Sequence, residues 1–319
     1  MLIRAQPNVK FAIIREMTSR DYNLLNISWL CEIAGVSRSG YYRWLAAENA
    51  RSLRENRDKE DFALILEAYS HRGYAKGARG IYMHLLHQKP SVVMNIKKIR
   101  RLMNKYGLKC PLRKANPYRR MAKALRTSNV APNLLNREFR AHGARAVLLT
   151  DITYIPRKDG CFSYLATILD AYTRQILAYT LSDSLEVDFV LEAVRNLLRD
   201  HGISLLKKTL IHSDQGCHYT SYRFIQLVED AQLRQSMSRK ANCWDNAPQE
   251  SLYGHMKDEI DLSGCQTHAQ VVSLIADWVD YYNNERYQWD LARLSPNEYY
   301  EYSRSGYYPL PVAPPGEPP

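Results

Sequence analysis

The chain has 319 residues, 45% of them apolar, enough for two or three folded domains and at least one sizeable core. It contains no run of about 18 apolar residues and no basic-then-apolar leader, so no membrane span is expected and a cytoplasmic address is. The formal net charge of +11 is unevenly spread: residues 1–142 hold 28 Lys+Arg against 10 Asp+Glu, and residues 143–319 hold 16 against 23, a pattern in which the first half grips a polyanion.

In chain order, residues 27–45 (ISWLCEIAGVSRSGYYRWL) predict a short helix up to Ala34, a turn at Gly35 and a second helix capped by Ser37, which together make a helix-turn-helix. Residues 51–70 are charged and amphipathic and predict another helix. In NIKKIRRLMNKYG (95–107), Ile96, Ile99, Leu102, Met103 and Tyr106 form one apolar stripe at helical spacing, with Asn95 able to cap the start and Gly107 the end. Lys97, Lys98, Arg100, Arg101 and Lys105 cover the rest of that helix. Residues 97–126 carry 12 basic side chains and no acid, so this face suits phosphates rather than i,i+4 ion pairs. His84 and His87 have H-x-x-H spacing but no cysteine pair beside them, so helix-surface histidines are expected rather than zinc ligands. The six cysteines are scattered and predict no disulfide framework.

The second half is patterned differently. Residues 146–155, 162–172 and 176–181 are apolar, β-branched runs bounded by polar turns and predict three strands. Residues 186–201 predict a helix ending before Gly202, residues 205–214 a strand, and residues 222–231 a helix, the order of an α/β domain. The segments fall into a helix-turn-helix-like stretch (1–50), a basic helical domain (51–115), a basic linker with prolines (116–142), an α/β core with C-terminal helices (143–302) and a proline-rich tail (303–319). With six prolines in its 17 residues, the tail is expected to be disordered or loosely extended.

Three acids stand out by their settings. Asp151 interrupts an apolar strand, Asp214 ends another in HSDQG, and Glu250 lies at a helix start, where Asn246 and Gln249 have the spacing of a capping box. Phosphodiester cleavage and transfer require charge to be neutralised on both the attacking and the leaving oxygen, which two Mg²⁺ ions about 3.5–4 Å apart achieve. Mg²⁺ prefers carboxylate oxygens and retains part of its water shell. Two strand-borne aspartates and a helix-borne glutamate are the residue types for such a pair.

The motifs TDITY (150–154), HSDQG (212–216) and DNAPQES (245–251), with 35 residues between Asp214 and Glu250, closely resemble the D-D-E signature of the insertion-sequence-3 transposase family, second-frame (OrfB) type, a relative of retroviral integrases. GYAKGARGIYMHL and NIKKIRRLMNKYGL resemble that family's DNA-binding segment, and YYNNERYQWDLARLSPNEY (281–299) its C-terminal block, so the resemblance spans nearly the whole chain except the tail.

The resemblance implies an α/β, RNase H-like integrase core preceded by helical helix-turn-helix DNA-binding modules. It implies Asp151, Asp214 and Glu250 as ligands of two Mg²⁺ ions per site, with Mn²⁺ able to substitute, and cleavage and strand transfer without a covalent protein–DNA intermediate. Its DNA partners would be the element's terminal inverted repeats and a target. A homo-oligomer on DNA, a fusion with an upstream-frame product and a nucleoid-associated bacterial location are further expectations. Lys257, seven residues after Glu250 on the same helix face, is a candidate phosphate contact, while His212, Ser213 and Gln215 are candidates to orient Asp214 or touch DNA. Asp170 lacks motif context and is expected to be structural. Tyr282, Asn283 and Arg286 are expected to pack against the catalytic helix. The alternatives are a catalytically silent DNA-binding regulator and a simple RNase H-like nuclease.

Overall fold

The structure, a computed structural model, describes residues 6–20, 25–74, 76–111, 131–135, 138–139, 141–206, 209–239 and 243–314. The basic linker and its part of the 97–126 run lie mostly outside the described residues. The chain divides into two compact units, Met1–Leu66 and Glu67–Pro319.

The first unit holds α1 (Pro7–Thr18), α2 (Ile27–Ala34) and α3 (Arg38–Ala46), and α4 (Glu48–Ser70) carries the chain into the second. Asn26 accepts from Trp29 N–H to start α2, Gly35 takes the left-handed conformation (φ 63°) that ends it, and Ser37 accepts from Gly40 N–H to start α3. That is the expected helix-turn-helix. Phe11 and Ile14 of α1, which sequence periodicity did not single out, complete a small core with Leu30, Cys31 and Tyr41.

The second unit continues with α5 (Ala78–His87) and α6 (Ile96–Lys105). Ile99, Leu102 and Met103 are buried as the stripe predicts, Asn95 accepts from Lys97 N–H, and Gly107 follows the helix with φ 70°. His84 and His87 depart from expectation. They do not lie on an open helix surface but line a seam with the C-terminal segment. His87 stacks on Tyr287 at 3.5 Å and its Nε2 lies 3.1 Å from Glu298 Oε2, while His84 lies against His71 at 4.5 Å between ring centroids. The same seam joins Tyr74 to Asp277 through a 3.0 Å hydrogen bond and Arg72 to Asp280 at 3.1 Å.

The sheet is formed by β1 (Val147–Pro156), β2 (Phe162–Asp170), β3 (Ile176–Ser182), β4 (Leu210–Ser213) and β5 (Arg234–Met237), in the order β3-β2-β1-β4-β5. The β3/β2 and β2/β1 pairs are antiparallel, and the β1/β4 and β4/β5 pairs are parallel. Alternation along β1 sends Val147, Leu149 and Ile155 into one core and Leu148 and Ile152 into the other. The face bearing Leu148 is covered by α7 (Val187–His201) and α8 (Tyr222–Asp230), and the opposite face by α9 (Ala247–Glu259) and α10 (His268–Asn284). The chain ends its regular structure with α11 (Pro296–Ser305). The result is an α/β/α sandwich that follows the helical segments in the chain.

Two sequence expectations shift. The strand foreseen over 205–214 is observed only over Leu210–Ser213; ahead of it the Thr209 hydroxyl donates to the Leu206 and Arg145 carbonyls. The polar edge strand β5, RQSM, was not foreseen. In the tail, α11 runs through Ser305 and residues 307–314 follow without regular structure, tied back by the Tyr308 hydroxyl to the Ala292 carbonyl (2.7 Å) and by Arg293 to the Ala313 carbonyl (3.2 Å). Asp170 is fully buried and accepts from the backbone N–H groups of Arg145, Tyr172 and Thr173 and from the Arg145 guanidinium (2.7 Å), a structural role as expected. No helix among the described residues is long and apolar enough to cross a membrane.

Candidate active site

The acids are gathered by sheet register and by one helix. Parallel pairing sets Leu149 opposite His212. Asp151 comes two residues after Leu149 on β1, and Asp214 two residues after His212. Asp214 lies just past the end of β4, exposed, and its Oδ1 accepts from Gly216 N–H at 2.9 Å. A Cβ on Gly216 would lie only 2.9 Å from that oxygen, so this tight turn requires glycine.

Glu250 stands exposed in the first turn of α9, whose Leu252, Tyr253 and Met256 pack into the core beneath β1. Polar bonds pin this helix at the level of Asp151. The Tyr253 hydroxyl donates to the Asp151 carbonyl (2.5 Å) and pairs with Thr167 Oγ1 (2.9 Å), Gln249 also bonds Thr167, and the Asn246 amide donates to the Thr150 carbonyl (3.4 Å). The capping box does not form: Asn246 makes no side-chain cap and Gln249 points to Thr167 instead. A buried sheet carbonyl and hydroxyl compete for these amides, and leaving such groups unpaired costs more than losing a helix cap.

The acids act on one another electrostatically. Burial, then the negative charge of Asp214 and, less, of Glu250 push the half-buried Asp151 carboxyl up to about 8, while Ile152 N–H and Lys257 pull the other way. Lys257 in turn feels Asp151, although burial lowers its own pKa. Lys257 is otherwise exposed on α9. Three converging carboxylates with one ammonium leave net negative charge, which fits oxygen-preferring divalent cations. Among the described residues no group of three or more His, Cys, Asp or Glu side chains forms a ready-made cage for a metal.

The supporting candidates divide. His212 is fully buried under the sheet, between Ser236 Oγ (2.9 Å) and Ser238 Oγ (3.1 Å), and burial lowers its pKa to about 4. It ties β4 to the strand beside it and lies too deep to touch DNA. The Ser213 hydroxyl donates to the Asp214 carbonyl (2.9 Å), and the Gln215 amide donates to the Ser238 carbonyl (2.9 Å), fixing the loop that carries Asp214. Sequence reasoning missed Tyr253 and Thr167; the helical spacing of Tyr253, three residues after Glu250, was the available signal. It also missed Asp245, buried and held by Asn133 and Arg239. In the C-terminal block Arg286 binds Glu259 at the end of α9 (2.8 Å) as expected, joined there by Trp278 (3.0 Å), whereas Asn283 pairs both ways with the backbone of Ile176 in β3 rather than with that helix. Of the basic face on α6, Lys97, Arg100, Arg101 and Lys105 are exposed and Lys98 is half-buried.

Comparison with known proteins places these units. An integrase core domain matches residues 141–243, an HTH-like domain residues 55–116, and a second integrase core domain residues 231–296. The insertion element IS600 31 kDa protein of Shigella sonnei is 30% identical over 277 residues, covering 85% of this chain and 97% of that protein. The transposase for insertion sequence element IS904 of Lactococcus lactis is 33% identical, covering 66% of this chain and 83% of its own. The putative transposase for insertion sequence element IS150 of Escherichia coli is 29% identical, covering 85% and 92%. With an HTH-like domain joined to an integrase core and relatives of this kind matched over most of their length, the chain belongs to the insertion-sequence-3 family of transposases, second-frame type.

Proposed function

We propose that this transposase cleaves 3′ ends at the terminal inverted repeats of its own element and joins them to target DNA, with Asp151, Asp214 and Glu250 as its catalytic carboxylates. The observation that supports the proposal is the setting of the three acids: Asp151 is on β1, Asp214 directly follows the parallel strand β4, and Glu250 stands on a helix bonded to the Asp151 carbonyl. These carboxylates would hold two Mg²⁺ ions, or Mn²⁺, which when bound neutralise the attacking and leaving oxygens of a phosphodiester. The chain's own part is to set the three carboxylates at one level, to keep β1 and α9 in register through Tyr253, and to offer Lys257 to a phosphate beside them. Lys97, Lys98, Arg100, Arg101 and Lys105 of α6 supply salt-sensitive phosphate contacts that position the repeat. Two ends must meet, so the protein acts as a homo-oligomer on DNA, alone or fused to an upstream-frame product.

The test is to incubate the purified chain and its Glu250→Gln variant with DNA carrying the element's ends and Mg²⁺, and to read 3′ nicking and strand joining. Cutting and joining by the parent, with the variant only binding, is the expected result. Equal cutting by both refutes the three-acid assignment. Binding without cutting by both, repeated with the upstream frame fused, makes the protein a DNA-binding regulator. Cutting without joining makes it a nuclease.

A further inference from the structure

The segments that carry the three acids meet, through backbone and hydrogen bonds, at one buried carboxylate, Asp245. It is 1% exposed. Its Oδ2 accepts from the Arg239 backbone N–H (3.0 Å), from Arg239 Nε (2.9 Å) and from the Asn133 amide (2.9 Å), and its Oδ1 accepts from Arg239 Nη2 (2.9 Å). Taking a carboxylate out of water is costly, and an apolar side chain of similar size often serves stability as well. A bonded polar group gives something that an apolar one does not: a single fixed arrangement of the parts that donate to it.

Those parts are the supports of the candidate site. Asp245 directly precedes Asn246, whose amide donates to the carbonyl of Thr150, the neighbour of Asp151 (3.4 Å), and α9 with Glu250 begins at the next residue. Arg239 directly follows Ser238, which is bonded on either side of Asp214: Ser238 N–H donates to the Ser213 carbonyl (2.8 Å), and the Gln215 amide donates to the Ser238 carbonyl (2.9 Å). Asn133 brings in a fourth segment. Residues 131–135 belong to the linker between the basic helices and the sheet, and they lie along β5. Leu134 N–H donates to Ser236 Oγ (3.0 Å) and Met237 N–H to the Pro132 carbonyl (3.4 Å), while Leu135 is buried in the same core cluster as Leu252, Tyr253 and Met256 of α9. Through the Asn133–Asp245 bond the linker reaches the start of α9.

We propose that Asp245 is a positioning residue: its carboxylate holds the segments of Asp151, Asp214 and Glu250 in one arrangement and, through Asn133, makes that arrangement depend on the seating of the linker from the DNA-binding helices. The proposal rests on the reading of the three acids as the catalytic carboxylates. It makes the chain that joins DNA binding to cleavage a part of the site's own scaffold.

The test uses the full chain with Asn133→Ala, which leaves the Arg239 contacts of Asp245 in place, and with Asp245→Asn. Hydrogen–deuterium exchange is followed first, without DNA. In Asn133→Ala, exchange should quicken in 212–217 and 245–252, far along the chain from the change. Single-turnover cutting of the element's end should fall on the order of tenfold. Affinity for the repeat should stay at the parental value, and the Mg²⁺ concentration for half-maximal cutting should rise. Asp245→Asn should show the same pattern more strongly; should its circular dichroism spectrum show misfolding, Asn133→Ala is the deciding variant. Exchange that quickens only around residue 133, or parental cutting with a parental Mg²⁺ dependence, overturns the proposal. So does lost affinity for the repeat with unchanged cutting of bound DNA, which makes Asn133 part of the DNA grip. A parent that cuts no DNA, while exchange spreads from residue 133 to 245–252, refutes the proposed reaction and leaves the tie standing; a parent that cuts without such a spread does the reverse.

Discussion

Tyr253→Phe separates the placement of the acids from their chemistry. The Tyr253 hydroxyl is buried, bonded at once to the Asp151 carbonyl and to Thr167, one turn after Glu250 on α9. Burial above all, and then the charge of Asp151, raise its pKa far above the working range, so it remains a donor throughout. Phenylalanine keeps the ring and removes both bonds. A net hydrogen bond contributes about 1 kcal/mol, and a stranded buried partner raises the loss to about 1–3 kcal/mol, which denaturant unfolding will read. The larger effect is expected in catalysis. Nothing else at that level bonds α9 to the Asp151 carbonyl among the described contacts, and a misplacement of about 1 Å costs on the order of 10²-fold in rate. Single-turnover cleavage should fall about 10- to 100-fold while affinity for the repeat stays at the parental value. The Mg²⁺ concentration needed for half-maximal cleavage should rise, a shift that a merely structural residue would not produce. If the variant loses the predicted stability yet cleaves at the parental rate with an unchanged Mg²⁺ dependence, the clamp does not set Glu250 against Asp151.

Other outcomes follow from the same structure. Arg145→Met strands the fully buried Asp170 without its guanidinium and should lower stability by about 3–5 kcal/mol in thermal unfolding; a loss below about 1 kcal/mol would mean that the three backbone N–H bonds to Asp170 hold it without the ion pair. Burial, and then neighbouring positive groups, lower His84 from 6.5 to about 4, so it is neutral in the fold. The unfolded chain takes up that proton first, so stability present above about pH 6.5 is lost as pH falls through about 4, by about 1–2 kcal/mol after allowance for partial exposure. His84→Gln should flatten this part of the stability curve, with His212, lowered likewise, keeping its own share. Lys97→Ala and Arg100→Ala should each weaken binding to any DNA sequence and reduce the slope of log affinity against log salt by about 0.9; a change confined to one sequence would mean that these side chains read bases.

What was legible in the sequence had a local cause. Continuous apolar runs mark β1, β2 and β3, because each is covered on both faces, and the caps at Ser37 and Asn95 act within three residues of themselves. What was not legible depends on partners far along the chain. The RQSM strand exists because β4 offers it a parallel edge, not because its own residues favour extension. His84 and His87 read as surface histidines until Tyr287 and Glu298, some 200 residues later, arrive against them. The candidate site shows both sides of this division. Its three acids are recognisable as residue types in motif settings, but their convergence depends on the β1/β4 register and on the tilt of α9, which no period of 2 or 3.6 encodes. Asn246 and Gln249 make the point most directly. Their spacing suits a capping box, and in isolation a helix beginning there would form one. In the fold the Thr150 carbonyl and the Thr167 hydroxyl lie within reach and away from water, so both amides turn to the sheet. The residues that sequence alone assigns to starting the helix are thus the ones that fix where the helix sits, and with it the position of Glu250 relative to Asp151.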